Sequence, residues 1–503
     1  MSVAIAAQPA PSPAVAAFLK RPPRLLIGGE WVEPVSDSLV PVFDPATGLQ
    51  VSAVADAGSA DVERAVAAAR NAFEFGRWPA LLPSEREALL WRLSDLIDAH
   101  AEELAELESI DNGKTLRMAG IVDVPGARNY FRYMAGWATK IEGSTIDLSI
   151  NPARSAGRMN AYTRRAPVGV VAQIIPWNFP LVMAAWKLAP ALAAGCTCIL
   201  KPAEQTPLTA LRLGDLIMEA GFPPGVVNIL TGNGETAGAA LVAHPGVDKI
   251  AFTGSTAVGK LINKVATDTL KRVSLELGGK SPVIVLADFD PEQAAAGAAQ
   301  AIFFNAGQVC AAGSRLYVQR KLFDKVVEGV AGAAESIRLG PGLDPETQMG
   351  PLVSSEQQRR VLDYIESGRA AGAALVAGGE PLAHPGYYVK PTVMADVRPD
   401  MQVVREEIFG PVLVANRFDD LDEVAALAND TPYGLSASIW SNDLTAVHRL
   451  IPKIRAGTVW VNCHGPVDAN MPFGGYKQSG VGREHGRAGI EMYTELKSVC
   501  MAV

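Results

Sequence analysis

Cysteine is scarce in this chain: five in 503 residues. So few cannot frame a disulfide scaffold, and an odd number leaves one thiol over, which points to a reducing compartment. Cys196 and Cys198 form a C-x-C pair, but no second pair stands at zinc-ligand spacing, so no metal site is expected. Long apolar runs are missing as well: no stretch reads as the ~20 predominantly apolar residues that a membrane span needs. Positive charge is not in surplus. The 45 Lys and Arg against 53 Asp and Glu leave a net charge of −8, and no basic block stands out, which argues against nucleic acid or an anionic membrane as partner. The N-terminus is apolar, but no basic residue precedes the apolar run and prolines interrupt it, so it does not read as a signal peptide. Residues 1–20 are expected to be a flexible Ala/Pro tail and the protein to be cytoplasmic.

With 49% hydrophobic and 19% charged residues, the composition is that of a globular protein, and the length suits two or three domains. Short strand-like runs at 25–27 and 31–32 come first, followed by turn chemistry at 43–48. Amphipathic helices are expected at 61–75 and 124–140, and another opens with a capping box of Ser84 and Glu87 behind Pro83. From 145 to 167 the chain is polar and extended, with Arg154, Arg158, Arg164 and Arg165, and reads as a projecting strand pair. The alternating run 495–501 is a candidate partner for it. The middle is the clearest part. Apolar strands at 168–175, 197–201, 226–230 and 249–252 alternate with helices at 181–194, 207–220, 235–243 and 256–266, the pattern of a parallel sheet covered on both faces. A second unit of this kind starts near 281 and runs to about 477.

Several residues carry chemistry. Residues 231–237 satisfy G-x-G-x-x-G/A after a strand, a weak sign of a phosphate cradle. Residues 252–256, Phe-Thr-Gly-Ser-Thr, offer Gly254 and Ser255 at a helix N-terminus, where backbone N–H groups hold a pyrophosphate or Ser255 simply caps the helix. Lys201 and Glu204 follow a strand end, where open α/β sheets bind ligands. A carboxylate there accepts both hydroxyls of a ribose. Cys198 and Cys500 sit in strand-like runs, as small buried hydrophobes do, whereas Cys310 follows a Gly-Gln turn and fits a thiolate at the mouth of a cleft. Glu276 lies in an apolar segment, so its carboxyl must be paired, hydrated or raised in pKa, as a general base requires. Asn178 is an amide between two prolines at a strand end. Glu407 is ambiguous by itself.

Taken together, PWNFP, KPAEQTPLTAL, FTGSTAVGK, LELGGKSP, FFNAGQVC, EEIFGP, NDTPYGLSASIW and PFGGYKQSGVGRE resemble, in order, the NAD(P)-dependent aldehyde dehydrogenase superfamily from about residue 25 onward. The resemblance implies an α/β fold with two doubly wound parallel-sheet domains and a small β oligomerisation arm. The cofactor domain would comprise 21–144 and 168–278, the catalytic domain 279–477, and the arm and C-terminal segment 145–167 and 478–503. It further implies that Cys310 attacks the aldehyde as thiolate, that the Asn178 amide and the Cys310 backbone N–H form the oxyanion hole, and that Glu276 activates water to hydrolyse the thioester. Lys187 and Glu484 would lie on a proton path.

The same resemblance places NAD against Ile174, Trp177, Lys201, Glu204, Gly234, Phe252, Gly254, Ser255, Val258, Leu277, Glu407 and Phe409. A carboxylate at Glu204 repels a 2′-phosphate, so NAD is expected over NADP. The substrate tunnel would be Phe179, Met183, Trp186, Phe304, Val467 and Phe473. It is apolar and has no Arg or Lys for a second anionic group, which disfavours succinate semialdehyde and phosphorylated aldehydes. The segments YMAGWATKIEGSTIDLSI and HGPVDANMPFGG and the ending ELKSVC are similar to the branch of bacterial phenylacetaldehyde dehydrogenases. Phenylacetaldehyde or a like aryl aldehyde is therefore the expected substrate, with Gly465 and Pro466 widening the entrance. The alternatives are a broad aliphatic and aromatic enzyme, a semialdehyde enzyme, or a catalytically silent binding relative. The arm and last strand imply a homo-oligomer, a dimer or dimer of dimers, with Glu495, Arg272 and Arg483 in an interface network.

Overall fold

A computed structural model of the chain describes residues 5–149, 159–380 and 382–502. Its middle third forms an eight-stranded sheet. In spatial order the strands are Gly480–Val481, Arg272–Glu276, Lys249–Thr253, Val170–Ile174, Thr197–Lys201, Val227–Ile229, Leu25–Ile27 and Glu30–Val32. The five central strands run parallel and the edge strands antiparallel. Thr197–Lys201 is buried at every position because helices cover both faces. One of these helices, Pro180–Ala194, is apolar on nearly all sides and correspondingly buried all round. Proline opens it, and Gly195, at φ +95°, closes it in the left-handed conformation that glycine adopts without strain.

The second sheet has seven strands: Ala374–Ala377, Thr392–Ala395, Val412–Phe418, Arg315–Gln319, Pro282–Val285, Ser436–Trp440 and Thr458–Val461. All neighbours are parallel except the first pair. The expected parallel-sheet α/β architecture is therefore present. The C-terminal segment joins the two layers, since Gly480–Val481 returns to the first sheet beside Arg272–Glu276.

A third sheet joins Thr145–Ile146, Met159–Pro167 and Thr494–Ala502. The last strand pairs along its whole length with Met159–Pro167 of its own chain, from Thr494 opposite Pro167 to Ala502 opposite Met159. The expected partner run is thus found, but within one chain. Arg154 and Arg158 of the expected arm lie outside the described residues, as does the start of the tail.

Other local expectations are corrected. Within the supposed tail, Pro13–Phe18 is a helix capped by Ser12, and Val15 is buried against Val40, Val42, Val54 and Leu107. The helix Pro83–Ala99 takes its cap one turn-step earlier than expected: the Glu85 carboxylate accepts the Leu82 N–H at 2.7 Å, so Ser84 and Glu87 do not form the box. The helix from Val124 ends at Ala135 rather than near 140.

Candidate active site

Three chain segments converge between the two large sheets. The first leaves the strand Val170–Ile174 and carries Asn178 just ahead of the helix Pro180–Ala194. The second is the end of Arg272–Glu276, with Glu276 as its last residue. The third follows the helix Pro291–Phe303, turns through Asn305 and Ala306 at positive φ, and delivers Cys310. Hydrogen bonds lock the first to the third. Asn178 Nδ2 donates to the Gln308 carbonyl at 2.9 Å, and Asn305 Nδ2 donates to the Asn178 carbonyl at 3.0 Å. Asn112 Nδ2 holds the Trp177 carbonyl at 2.7 Å. The Asn178 amide therefore sits two residues from Cys310 with its second N–H unused by this bond.

Leu277-Gly278-Gly279 threads the centre, where side chains would not fit. A Cβ on Gly278 would fall 2.2 Å from Glu407 Oε2, and one on Gly279 would fall 2.4 Å from the Cys310 carbonyl. Glu407 accepts the Gly279 N–H at 2.9 Å. Burial raises its carboxyl to about 7, although the Gly279 N–H and Lys280 pull the other way.

Glu276 is buried, and its Oε2 has no hydrogen-bond partner among the described residues. Burial, and then the charge of Glu484, raise its carboxyl well above the usual range, while Lys187 and Arg483 pull it down. The raised carboxyl expected from the apolar segment is present. Lys187 Nζ forms a buried ion pair with Glu484 Oε1, and Glu484 exchanges backbone hydrogen bonds with Phe473 at 2.8 and 2.9 Å.

Burial, followed by the negative charges of Glu407 and Glu276, pushes the Cys310 thiol up to about 12. Both carboxylates come from segments far away in sequence.

The dinucleotide candidates line the carboxyl ends of the first sheet's strands. Ile174 stands opposite Lys201 and Phe252 in register. Lys201 Nζ donates to Glu204 Oε1 at 3.0 Å, and a Cβ on Gly234 would lie 3.4 Å from that oxygen. Ser255 caps Thr256–Ala266 through the Val258 N–H at 3.3 Å, leaving Val258 half exposed. The Phe252 ring lies directly beneath Gly254, and Leu277 packs against Gly259. Trp177 and Phe409 meet edge to face at 5.1 Å. The TGNG turn does other work: Gly232 makes room for the backbone of Ala57, and Asn233 binds Asp56.

The tunnel candidates gather on the other side of Cys310. Trp186 and Phe473 meet at 5.7 Å and pack with Cys310 against Ala311, Leu435 and Trp460. Farther out, Phe179 and Phe304 stack at 6.2 Å, and Val467 is 42% exposed. Met183 is buried in the helix core beneath this wall.

Sequence reasoning missed several supports. The Lys114 ammonium lies 4.5 Å over the Phe179 ring and is held by Glu108 at 3.1 Å and Asp123 at 2.6 Å, all three buried. Its one local signal is a lysine behind the Asp-Asn-Gly turn at 111–113. His485 packs edge to face on Trp186 at 4.1 Å, and Trp460 donates to the Pro466 carbonyl at 2.9 Å. No local pattern points to either. Arg272 binds Glu495 at 2.5 and 3.2 Å as expected, but Arg483 donates to the carbonyls of Gly475 and Gly482 and takes no part in that pair.

Residues 31–499 match the aldehyde dehydrogenase family. A phenylacetaldehyde dehydrogenase from Pseudomonas fluorescens is 54% identical over 96% of this chain and 97% of its own. Human retinal dehydrogenase 2 is 47% identical over 95% and 92%. An aldehyde dehydrogenase from Bacillus cereus, solved as its NAD+ complex, superposes with a TM-score of 0.96 at 49% identity, covering 99% of this chain and 100% of that one. The chain belongs to the aldehyde dehydrogenase family.

Proposed function

We propose that this protein oxidises an aldehyde to the carboxylic acid with NAD+, through a covalent adduct on Cys310. The observation that carries the reading is the convergence of Asn178, Cys310 and Glu276, with the amide pinned to the carbonyl two residues before the thiol. The Cys310 sulfur adds to the carbonyl carbon, and the resulting oxyanion is met by the Asn178 amide and the Cys310 N–H. One such donor is worth about 10²–10³ in turnover. Because the charges of Glu407 and Glu276 oppose ionisation of the thiol, Glu276 stays protonated while the thiol gives its proton to solvent and the sulfur adds, and Glu276 then releases its own proton toward Lys187 and Glu484 before it acts as base. Lys201, Glu204, Ser255 and Glu407 would hold NAD+, which would supply the hydride acceptor, so that the adduct on Cys310 would be left as a thioester. Glu276 then takes a proton from water as the water attacks, releasing the acid and the thiol. Lys187 and Glu484 give that proton a route onward.

The residues fit the dinucleotide. Glu204, anchored by Lys201, offers a carboxylate to ribose hydroxyls and repels a 2′-phosphate. Ser255 opens an eleven-residue helix whose N-terminus favours pyrophosphate. Glu407 offers a second carboxylate beside Trp177 and Phe409. For the substrate we propose phenylacetaldehyde or a similar aryl aldehyde, since the wall of Phe179, Trp186, Phe304 and Phe473 suits edge-to-face and offset ring contacts. The 54% identity to the Pseudomonas fluorescens enzyme supports the same choice.

The test is a panel of aldehydes, assayed by formation of reduced nicotinamide with NAD+ and with NADP+, on the native protein and on Cys310→Ala. Phenylacetaldehyde with NAD+ should give the highest kcat/KM, and Cys310→Ala should lose at least about 10³-fold. Native rates in Cys310→Ala overturn the covalent mechanism. A preference for succinate semialdehyde, or equal efficiency with NADP+, overturns the respective specificity.

A further inference from the structure

We propose that His464 is a positioning residue for the nucleophile, clamping the turn that carries Cys310. The proposal rests on the reading of Cys310 as nucleophile. Residues Val309 to Ala312 form a tight turn, closed by the Ala312 N–H donating to the Val309 carbonyl at 3.0 Å. Cys310 occupies its first corner. The orientation of that corner depends on the peptide that follows, between Ala311 and Ala312. One end of this peptide is tied by the turn bond itself. The other end, the Ala311 carbonyl, points at His464 Nε2, 2.9 Å away.

A carbonyl only accepts, so Nε2 carries the ring's proton. Nδ1 is then an acceptor, and Ser438 Oγ stands 3.1 Å from it as donor. Ser438 in turn accepts Trp440 Nε1–H at 3.3 Å. The relay from Trp440 through Ser438 and His464 to Ala311 sets the tautomer without any charged partner. The ring is fixed sideways too. It lies 4.7 Å from Trp460, and a Cβ on Gly313 would come within 3.3 Å of its Cε1. A second donor, Ser436 Oγ, reaches the same carbonyl only at 3.3 Å and also shares a hydrogen bond with Ser281. Burial keeps the imidazole neutral at working pH, with its pKa lowered to about 4. The hydrogen bonds of the His464 ring go to Ser438 and to the Ala311 carbonyl, not to the Cys310 sulfur. His464 acts by holding the peptide next to that sulfur, where a displacement near 1 Å costs about 100-fold.

The experiment measures the pre-steady-state burst of reduced nicotinamide in four proteins: native, Cys310→Ala, His464→Phe and His464→Gln. His464→Phe keeps a ring on Trp460 but loses the N–H, and its burst should slow by about 10- to 100-fold with KM for aldehyde and for NAD+ within about twofold of native. His464→Gln keeps a donor and should recover at least about half of the native burst rate. A native burst in His464→Phe, with Cys310→Ala inactive, overturns the proposal and leaves the nucleophile assignment intact. Equal slowing in Phe and Gln overturns it as well, because the loss then follows the ring and not the hydrogen bond. A burst that survives in Cys310→Ala removes the nucleophile assignment and this proposal with it. Should His464→Phe not fold, Ser438→Ala frees the tautomer from the other side. It should slow the burst several-fold, and a native rate there is the overturning result.

Discussion

Glu276 concentrates the physical problem of the site in one side chain. A buried carboxylate with an unpartnered oxygen is disfavoured by several kcal/mol, so the group holds its proton at pH values where an exposed glutamate has lost it. The base form is the one that activates water, and its pKa is raised, so steady-state turnover should climb as pH rises above the ordinary carboxylate range. Glu276→Gln should leave the burst of reduced nicotinamide, lower steady-state turnover by about 10²–10⁴, and abolish that pH-dependent climb. Stopped-flow traces against steady-state rates over a pH series check all three. This raised carboxyl was legible from its apolar neighbours in sequence. The state of Cys310 was not, because Glu407 and Glu276 reach it from distant segments. Proximity of like charge is invisible to a local reading.

At the scale of elements, the strands and helices between 168 and 266 could be read to within a residue or two, because fully apolar strands and punctuated amphipathic helices alternate there, whereas the strands Arg272–Glu276 and Gly480–Val481 of the same sheet were not read. Thr197–Lys201 and Thr256–Ala266 match their expected bounds. The N-terminal helix was missed because alanine and proline look like a tail until Val15 is seen to fill a gap beside Leu107. The Lys114 cluster was missed for a related reason. Glu108, Lys114 and Asp123 satisfy each other in space, bridging the helix Ala101–Asn112 to the segment that follows and capping the Phe179 ring. Removing one partner strands the other two without water. Lys114→Met should therefore cost about 3–5 kcal/mol in urea unfolding. It should also raise KM for aryl aldehydes through loss of the cation beneath Phe179. A stability within 1 kcal/mol of native, on the scale of ~0.5 kcal/mol for a neutral surface change, would show the cluster to be incidental.

For the molecule as a whole, the third sheet leaves Thr494–Ala502 as an outer strand, with Leu496 58% and Met501 39% exposed. An open, partly apolar edge invites pairing with another chain, and we propose a dimer or dimer of dimers that covers it. Light scattering should find a dimer or tetramer. Removal of residues 490–503 should give aggregated or inactive protein, and an active monomer would contradict the proposal. The sequence offered the run 495–501 as partner of the segment 145–167, and the two strands do pair with each other within one chain.

One stretch, Ser479 to His485, ties several parts of the site together. It lays Gly480–Val481 beside Glu276, holds Gly278 through Ser479, and supplies the carboxylate for Lys187. Ribosomes make this stretch after every other piece of the site. A chain still lacking it has the Cys310 thiol and the Asn178 amide but neither the strand that lies beside Glu276 nor the carboxylate that pairs with Lys187.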